Sequence, residues 1–168
     1  MLDVPYVQQI NDDSCGAAVL EMIYKFYDID NVSQGEIFSK YNKVEPHETG
    51  HNRIDTESLV EDAKQHNLQA YWKRADLKNI QETLETLKQF IDKNIPIIVC
   101  QKFRDEEPLL GHFRVVIGIV DDNIYFHDPH PTYGGQSLKW SKDKFIEYWQ
   151  PTGQNVTGGV YVVIEKQP

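Results

Sequence analysis

Gln9-Ile10-Asn11-Asp12-Asp13-Ser14-Cys15-Gly16-Ala17-Ala18 carries a polar, turn-forming cluster straight into an apolar segment, Val19-Leu20-Glu21-Met22-Ile23. Residues 11–14 are of the types that close turns and cap helices. From Cys15 to about position 27, Ala18, Met22, Ile23 and Phe26 recur at helical spacing, which predicts a buried helix that opens on a cysteine. Gly16, Ala17 and Ala18 make its first turn slim, so another element can approach closely. A thiol at that position meets unpaired N–H groups and the positive end of the helix dipole, both of which favour the thiolate. The same residues also fit a plain capped helix whose cysteine is a small buried hydrophobe.

Around this helix the chain divides into two halves of different character. In the first, Pro5 marks a short extended segment at positions 4–7, which proline confines to an edge or a strand start. Residues 33–38 are compatible with a short helix, and residues 42–55, with Pro46 and Gly50, read as a loop. A helix start follows at Asp55 or Thr56, then a strand-like run at 68–72. Ile80, Leu84, Leu87 and Ile91 define one face of a further helix spanning residues 79 to about 93. In the second half, residues 96–100 form a short apolar, central strand, and 105–108 a loop. Residues 112–120 and 123–127 flank Asp121-Asp122 as a hairpin. Asp128-Pro129 ends the second strand, and a loop runs on through Gly134-Gly135 as a flexible turn. A capped helix at 141–149 and a strand at 159–164 complete the chain. Helices first and an antiparallel sheet second make an α+β fold.

The 168 residues suit a single domain, 1–168, with 40% hydrophobic and 26% charged residues placing it among ordinary globular proteins. A net charge of −9 argues against a nucleic-acid partner, which would want clustered Lys and Arg. The N-terminus lacks the basic and apolar regions of a signal peptide, and no apolar run approaches the length of a membrane span. Cys15 and Cys100 therefore read as free thiols in a reducing compartment, the cytoplasm by default, with Cys100 a core residue among Ile97, Ile98 and Val99.

Thiol catalysis needs a thiolate, a histidine to carry the proton, and a group that orients the histidine. Cys15 is the candidate nucleophile. His112 is the candidate base, because it opens a strand after Leu109-Leu110-Gly111, at an element edge. Asp128 is the candidate orienter, since the hairpin returns it to within a few positions of His112. Whether the two share a face depends on register: a three-residue loop places them together, and a one-residue slip separates them. His47 with His51, and His127 with His130, lack the ligand spacing of a metal site, so neither a metal nor another cofactor is expected.

Gln9 six positions before Cys15, Cys15-Gly16-Ala17-Ala18 on a helix, Gly111-His112-Phe113 on a strand and Asp128-Pro129 after a hairpin together resemble the bacteriocin-processing cysteine peptidases. These papain-like domains remove leader peptides after a double glycine and are often fused to an ABC transporter. The resemblance spans positions 4–148 and implies a papain-like fold, N-terminal helices packed on a C-terminal antiparallel sheet, and a peptide or protein substrate. It implies Cys15 as nucleophile, His112 as base and Asp128 as orienter. It further implies an oxyanion hole built from the Gln9 side-chain amide and the Cys15 backbone N–H, with Gln8 a competitor separated only by spacing. The 168 residues contain no transporter sequence, so the transport-coupled role is not carried over, and Ser14 stands where an acidic or amide residue is expected. The same residues would serve an acyltransferase, or persist in a silent peptide-binding domain. Residues 42–52 and 108–111 are expected to border the substrate cleft.

Overall fold

The computed structural model describes residues 1–41, 54–152 and 158–168. Among the described residues, five helices and six strands follow in chain order: α1 (Cys15–Phe26), α2 (Gln34–Tyr41), α3 (Thr56–Gln65), β1 (Leu68–Arg74), α4 (Ile80–Asp92), β2 (Ile97–Arg104), β3 (Glu107–Val120), β4 (Asn123–Asp128), β5 (Gly135–Ser141), α5 (Lys142–Trp149) and β6 (Val160–Lys166). The strands form one sheet in the order β1-β6-β2-β3-β4-β5, every pair antiparallel.

The period-two alternation of the strands explains the layering. Ile98, Cys100, Val115, Ile117, Val162 and Ile164 are buried with α1 and α3, whose Val19, Leu20, Ile23, Leu59 and Ala63 complete that core. Ile97, Val99, Val116, Tyr161 and Val163 are buried instead with Leu84, Leu87 and Ile91 of α4 and Phe145 and Trp149 of α5. Because both faces are covered, β2 and the centre of β3 read as continuous apolar runs. The slim first turn of α1 is used as its sequence suggests. A Cβ on Gly16 would sit 3.4 Å from Phe113 and 3.3 Å from Ile54.

Three local expectations are revised. The loop expected at 105–108 shrinks to the Asp105-Glu106 turn, and Pro108 enters β3 in the irregular stretch between the pairs Lys102–Gly111 and Arg104–Glu107. Residues 135–141 form β5, although left-handed backbone at Gly135 and Ser137 (φ 150° and 51°) hides its pattern. Residues 4–7 join no strand. The N-terminal segment around them is tied by single hydrogen bonds, Leu2 N–H to Ile117 O (2.7 Å), Tyr6 Oη to Asp128 O (3.1 Å) and Gln9 N–H to Pro129 O (2.9 Å). The loop expected at 42–55 lies largely outside the described residues.

Candidate active site

Cys15 is buried at the first position of α1. Ser14 occupies the cap position, yet its side chain makes no cap bond to the helix. Its hydroxyl turns back to Asn11, accepting from the backbone N–H and donating to the carbonyl, each at 3.1 Å. Asn11 Oδ1 in turn accepts from Asp13 N–H at 2.9 Å. The residue that departs from the family pattern therefore closes the turn that delivers the cysteine.

The β3–β4 hairpin settles the question of faces. Its turn has two residues, with Val120 opposite Asn123, which alone would put residue 128 opposite 115 and on the other face from His112. Between Val116 and Gly118 the register shifts by one residue, a β-bulge, so that Val116 faces Phe126 and Val115 faces His127. The bulge supplies the parity that a three-residue loop would have given. The carbonyl of Ile117, displaced within it, accepts the Leu2 N–H.

Asp128 consequently meets two basic side chains of β3. His112 Nε2 lies 2.6 Å from Oδ1, and Arg114 Nε donates to Oδ2 at 2.8 Å. His130 N–H donates to Oδ1 at 2.9 Å. Burial would push the Asp128 carboxyl up, but the His112 and Arg114 charges and these hydrogen bonds hold it well below the usual carboxylate range. Burial likewise works against protonated His112, and is outweighed by the Asp128 charge, its hydrogen bond, and a hydrogen bond that the imidazolium donates to Cys15 together with the charge there, leaving the imidazole pKa raised. With Nε2 engaged by Asp128, Nδ1 is the ring nitrogen left for the interaction with Cys15. Gly134 presses on the same carboxylate: a Cβ there would come within 2.5 Å of Asp128 Oδ1 and 2.6 Å of two backbone oxygens. The "flexible turn" reading of Gly134 gives way to one of close approach.

Gln9 is buried, and its Nε2 donates to Asn11 O at 2.8 Å, within the turn that ends at Cys15. Its Oε1 is buried with no hydrogen-bond partner among the described residues, while Nε2 retains a second hydrogen. Gln34 of α2 holds the flanking backbone on both sides, accepting from Ile10 N–H (3.0 Å) and donating to Gln8 O (2.7 Å). Gln8 is exposed, so of the two neighbouring glutamines it is Gln9 that sits in the interior.

Beside His112 opens a cavity of about 310 Å³ walled by Phe103, Leu110, His130 and Tyr133, with Asp12 and Glu107 at its rim. Of the segments expected to border the cleft, 108–111 contributes Leu110, and 42–52 lies outside the described residues, as do His47 and His51. The second histidine pair is engaged structurally. His127 Nε2 donates to Val4 O (2.8 Å) and Nδ1 accepts from Ser137 N–H (2.9 Å), while His130 Nδ1 accepts from the Thr132 and Tyr133 N–H groups. Cys100 is in the core, as its neighbours suggest. Sequence reading passed over Arg114 and Gln34. Arg114 did carry a signal, a charge inside an otherwise apolar strand two positions after His112. Gln34 carried none.

Residues 1–157 match the model of the Peptidase C39 like family. The chain is 28% identical over 144 residues to the pediocin PA-1 transport/processing ATP-binding protein PedD of Pediococcus acidilactici, covering 86% of this chain and 17% of that protein. The peptidase domain of Streptococcus ComA, a bi-functional ABC transporter, superposes with a TM-score of 0.66 at 24% identity, over 96% of this chain and 97% of that one. A C39-like peptidase from Bacillus anthracis gives 0.69 at 18% identity, over 98% and 96%. A double glycine motif protease solved with its leader peptide gives 0.66 at 20% identity, over 98% and 93%. The fold is therefore the papain-like one, and the chain belongs to the Peptidase C39 like family, as a cysteine peptidase domain.

Proposed function

We propose that the chain hydrolyses a peptide bond after the paired glycines of a leader segment, with Cys15 as nucleophile, His112 as proton carrier, Asp128 as orienter and Gln9 as oxyanion donor. The observation that carries this reading is the 2.6 Å contact of His112 Nε2 with Asp128 Oδ1 while Cys15 bonds the same ring from a helix start. The Gly-Gly preference rests on the names of the relatives. With His112 protonated, the Cys15 thiolate attacks the scissile carbonyl carbon, and the C=O electron pair moves to oxygen. The free hydrogen of Gln9 Nε2 and the Cys15 N–H stabilise that oxyanion. Its collapse breaks the C–N bond as His112 gives its proton to the leaving amine, leaving a thioester. Water then attacks, His112 takes its proton, and the acid departs as the thiolate reforms.

The whole chain is taken as one catalytic domain, because its first and last strands, β1 and β6, pair within the sheet that carries the site. Among the described residues no helix is long and apolar enough to cross a membrane. Two buried cysteines, Cys15 and Cys100, that are not joined in a disulfide suit a reducing compartment, and the cytoplasmic side is proposed on that ground.

The test is product analysis on a leader peptide ending in Gly-Gly, with and without an added amine acceptor. Cleavage to the free acid, lost in Cys15→Ala, supports the reading. Conjugate formed in preference to acid would make the enzyme an acyltransferase, and unchanged cleavage by Cys15→Ala would overturn the assignment.

A further inference from the structure

Arg114 is almost wholly buried, and all three guanidinium nitrogens are bonded. Nε donates to Asp128 Oδ2 at 2.8 Å. Nη1 approaches Gln101 Oε1 and Lys102 O at 3.3 and 3.2 Å, and Nη2 donates to Phe103 O at 2.8 Å. Gln101 is itself anchored by donating to Phe145 O at 3.0 Å. The guanidinium lies 5.0 Å from the Trp140 ring and 5.9 Å from that of Tyr148. A continuous chain of polar contacts thus runs from α5 through Gln101, Arg114, Asp128 and His112 to Cys15.

We propose that Arg114 is a positioning residue of the catalytic site, which fixes the Asp128 carboxylate and whose fixed charge makes an added proton on the thiolate–imidazolium pair leave the buried cluster net positive, where without it that proton would leave the cluster neutral. This deepens the peptidase reading and rests on it. The geometric half follows from the two carboxylate oxygens. Oδ1 faces His112 and Oδ2 faces Arg114, so the plane of the carboxylate, and with it the imidazole, is held from both ends.

The electrostatic half follows from counting charges. With Arg114 positive and Asp128 negative, proton transfer from Cys15 to His112 leaves the cluster neutral, and an additional proton on the thiol would make it positive. Without the Arg114 charge, the thiolate–imidazolium–carboxylate set is net negative in a place sheltered from water, and protonation of the thiol restores neutrality. Burial amplifies this preference.

The other charged or titratable groups nearby leave it intact. His130 stands 6.2 Å from His112 ring to ring and is itself acted on by Asp12 and Glu107. Lys102 is paired with Asp105 and Glu147, Tyr148 hydrogen-bonds Asp105, and Arg104 is paired with Glu106 and Glu107. Arg114→Gln changes none of these.

The experiment is the pH dependence of iodoacetamide alkylation of Cys15, read by peptide mapping with Cys100 as internal control, in wild type, Arg114→Gln and Arg114→Lys. The reaction uses no peptide substrate. Wild-type Cys15 reacting no faster than Cys100 near neutral pH would count against the peptidase mechanism itself, whereas a reactive Cys15 isolates the question of Arg114. The proposal expects the titration limb of Cys15 to move upward by about half a pH unit or more in Arg114→Gln, as loss of a nearby positive charge requires. In Arg114→Lys, which keeps the charge but not the planar fork, the limb stays within about 0.3 unit of wild type while kcat falls at unchanged KM. A limb that does not move in Arg114→Gln, or that moves equally far in Arg114→Lys, overturns the proposal and leaves Arg114 a structural residue. If Arg114→Gln does not fold, Arg114→Met takes its place, and the Lys variant decides by itself whether charge or shape matters.

Discussion

His112 and Asp128 share a face of the β3–β4 hairpin only because β3 carries one extra residue in the bulge between Val116 and Gly118. The two-residue turn at Asp121-Asp122 would have separated them, and Asp121 needs left-handed backbone (φ 52°) to make so tight a connection. The geometry of His112 and Asp128 is thus a property of strand register, which also brings Asp128 to two basic side chains at once.

Replacing Asp128 tests that linkage. Asp128→Asn removes the imidazolium's counter-charge and leaves Arg114 buried beside a neutral amide. Stability should fall by about 3 kcal/mol, the scale for breaking a buried ion pair. kcat should drop by about 10²-fold or more, the scale of acid–base contributions. Since Asp128 raises the His112 pKa, its loss moves the alkaline limb of kcat/KM to lower pH. Urea unfolding and a pH–rate profile measure both. An alkaline limb that stays in place would argue that the carboxylate does not set the charge state of His112.

Gly134 offers a milder perturbation of the same carboxylate. A methyl group there would overlap Asp128 Oδ1 and the carbonyls of Asp128 and His130, two of the three contacts being backbone that cannot move aside cheaply. Gly134→Ala should therefore cost about 1–3 kcal/mol in stability and lower kcat more than it raises KM. Activity equal to wild type would mean that Asp128 tolerates displacement.

Gln9 and Gln34 should separate donor from scaffold. Gln9→Ala removes the proposed oxyanion donor and is expected to lower kcat by about 10²–10³-fold with little change in stability. Gln34→Ala frees Gln8 and Ile10 rather than the donor itself. It should cost about 1–3 kcal/mol from the unpaired backbone groups and a smaller part of kcat. If Gln34→Ala proves as damaging to kcat as Gln9→Ala, backbone placement outweighs the amide donor.

Acid should loosen the N-terminal segment through His127. Burial lowers its pKa below the ordinary value, and its neutral ring bridges Val4 O and Ser137 N–H. Below about pH 6.5 the unfolded chain takes up this proton and the folded one resists it, so stability falls with falling pH. His130 is shifted the same way, whereas His112 is shifted upward and adds dependence only above that pH. His127→Gln should flatten the loss of unfolding free energy between about pH 6.5 and pH 5. Equal slopes for wild type and variant would assign the acid sensitivity elsewhere.

The large features were legible because they rest on local pattern. The helix at Cys15, the apolar strands β2 and β3, the Asp121-Asp122 turn and the family pattern of Gln9, Cys15, His112 and Asp128 all stand in single short stretches. The parity of the hairpin did not, since a bulge costs no distinctive residue: Val116, Ile117 and Gly118 look like any buried strand. Gln34 acts through backbone twenty-four to twenty-six positions away, a relation no periodicity encodes. Gly134 looked like a turn glycine until the carboxylate beside it was placed. Ser14, the residue out of pattern, bonds Asn11 rather than the helix, which a capping rule could not have told.

The central claim is that Cys15 carries the acyl group. Intact-mass spectrometry of enzyme quenched in acid during turnover of a leader peptide ending in Gly-Gly measures this directly. The expected result is an adduct with the mass of the leader acyl group, hydroxylamine-labile as a thioester and mapping to Cys15, absent in Cys15→Ala and present in Cys100→Ala. Cleavage that continues in Cys15→Ala, or an adduct that maps to Cys100, would contradict it.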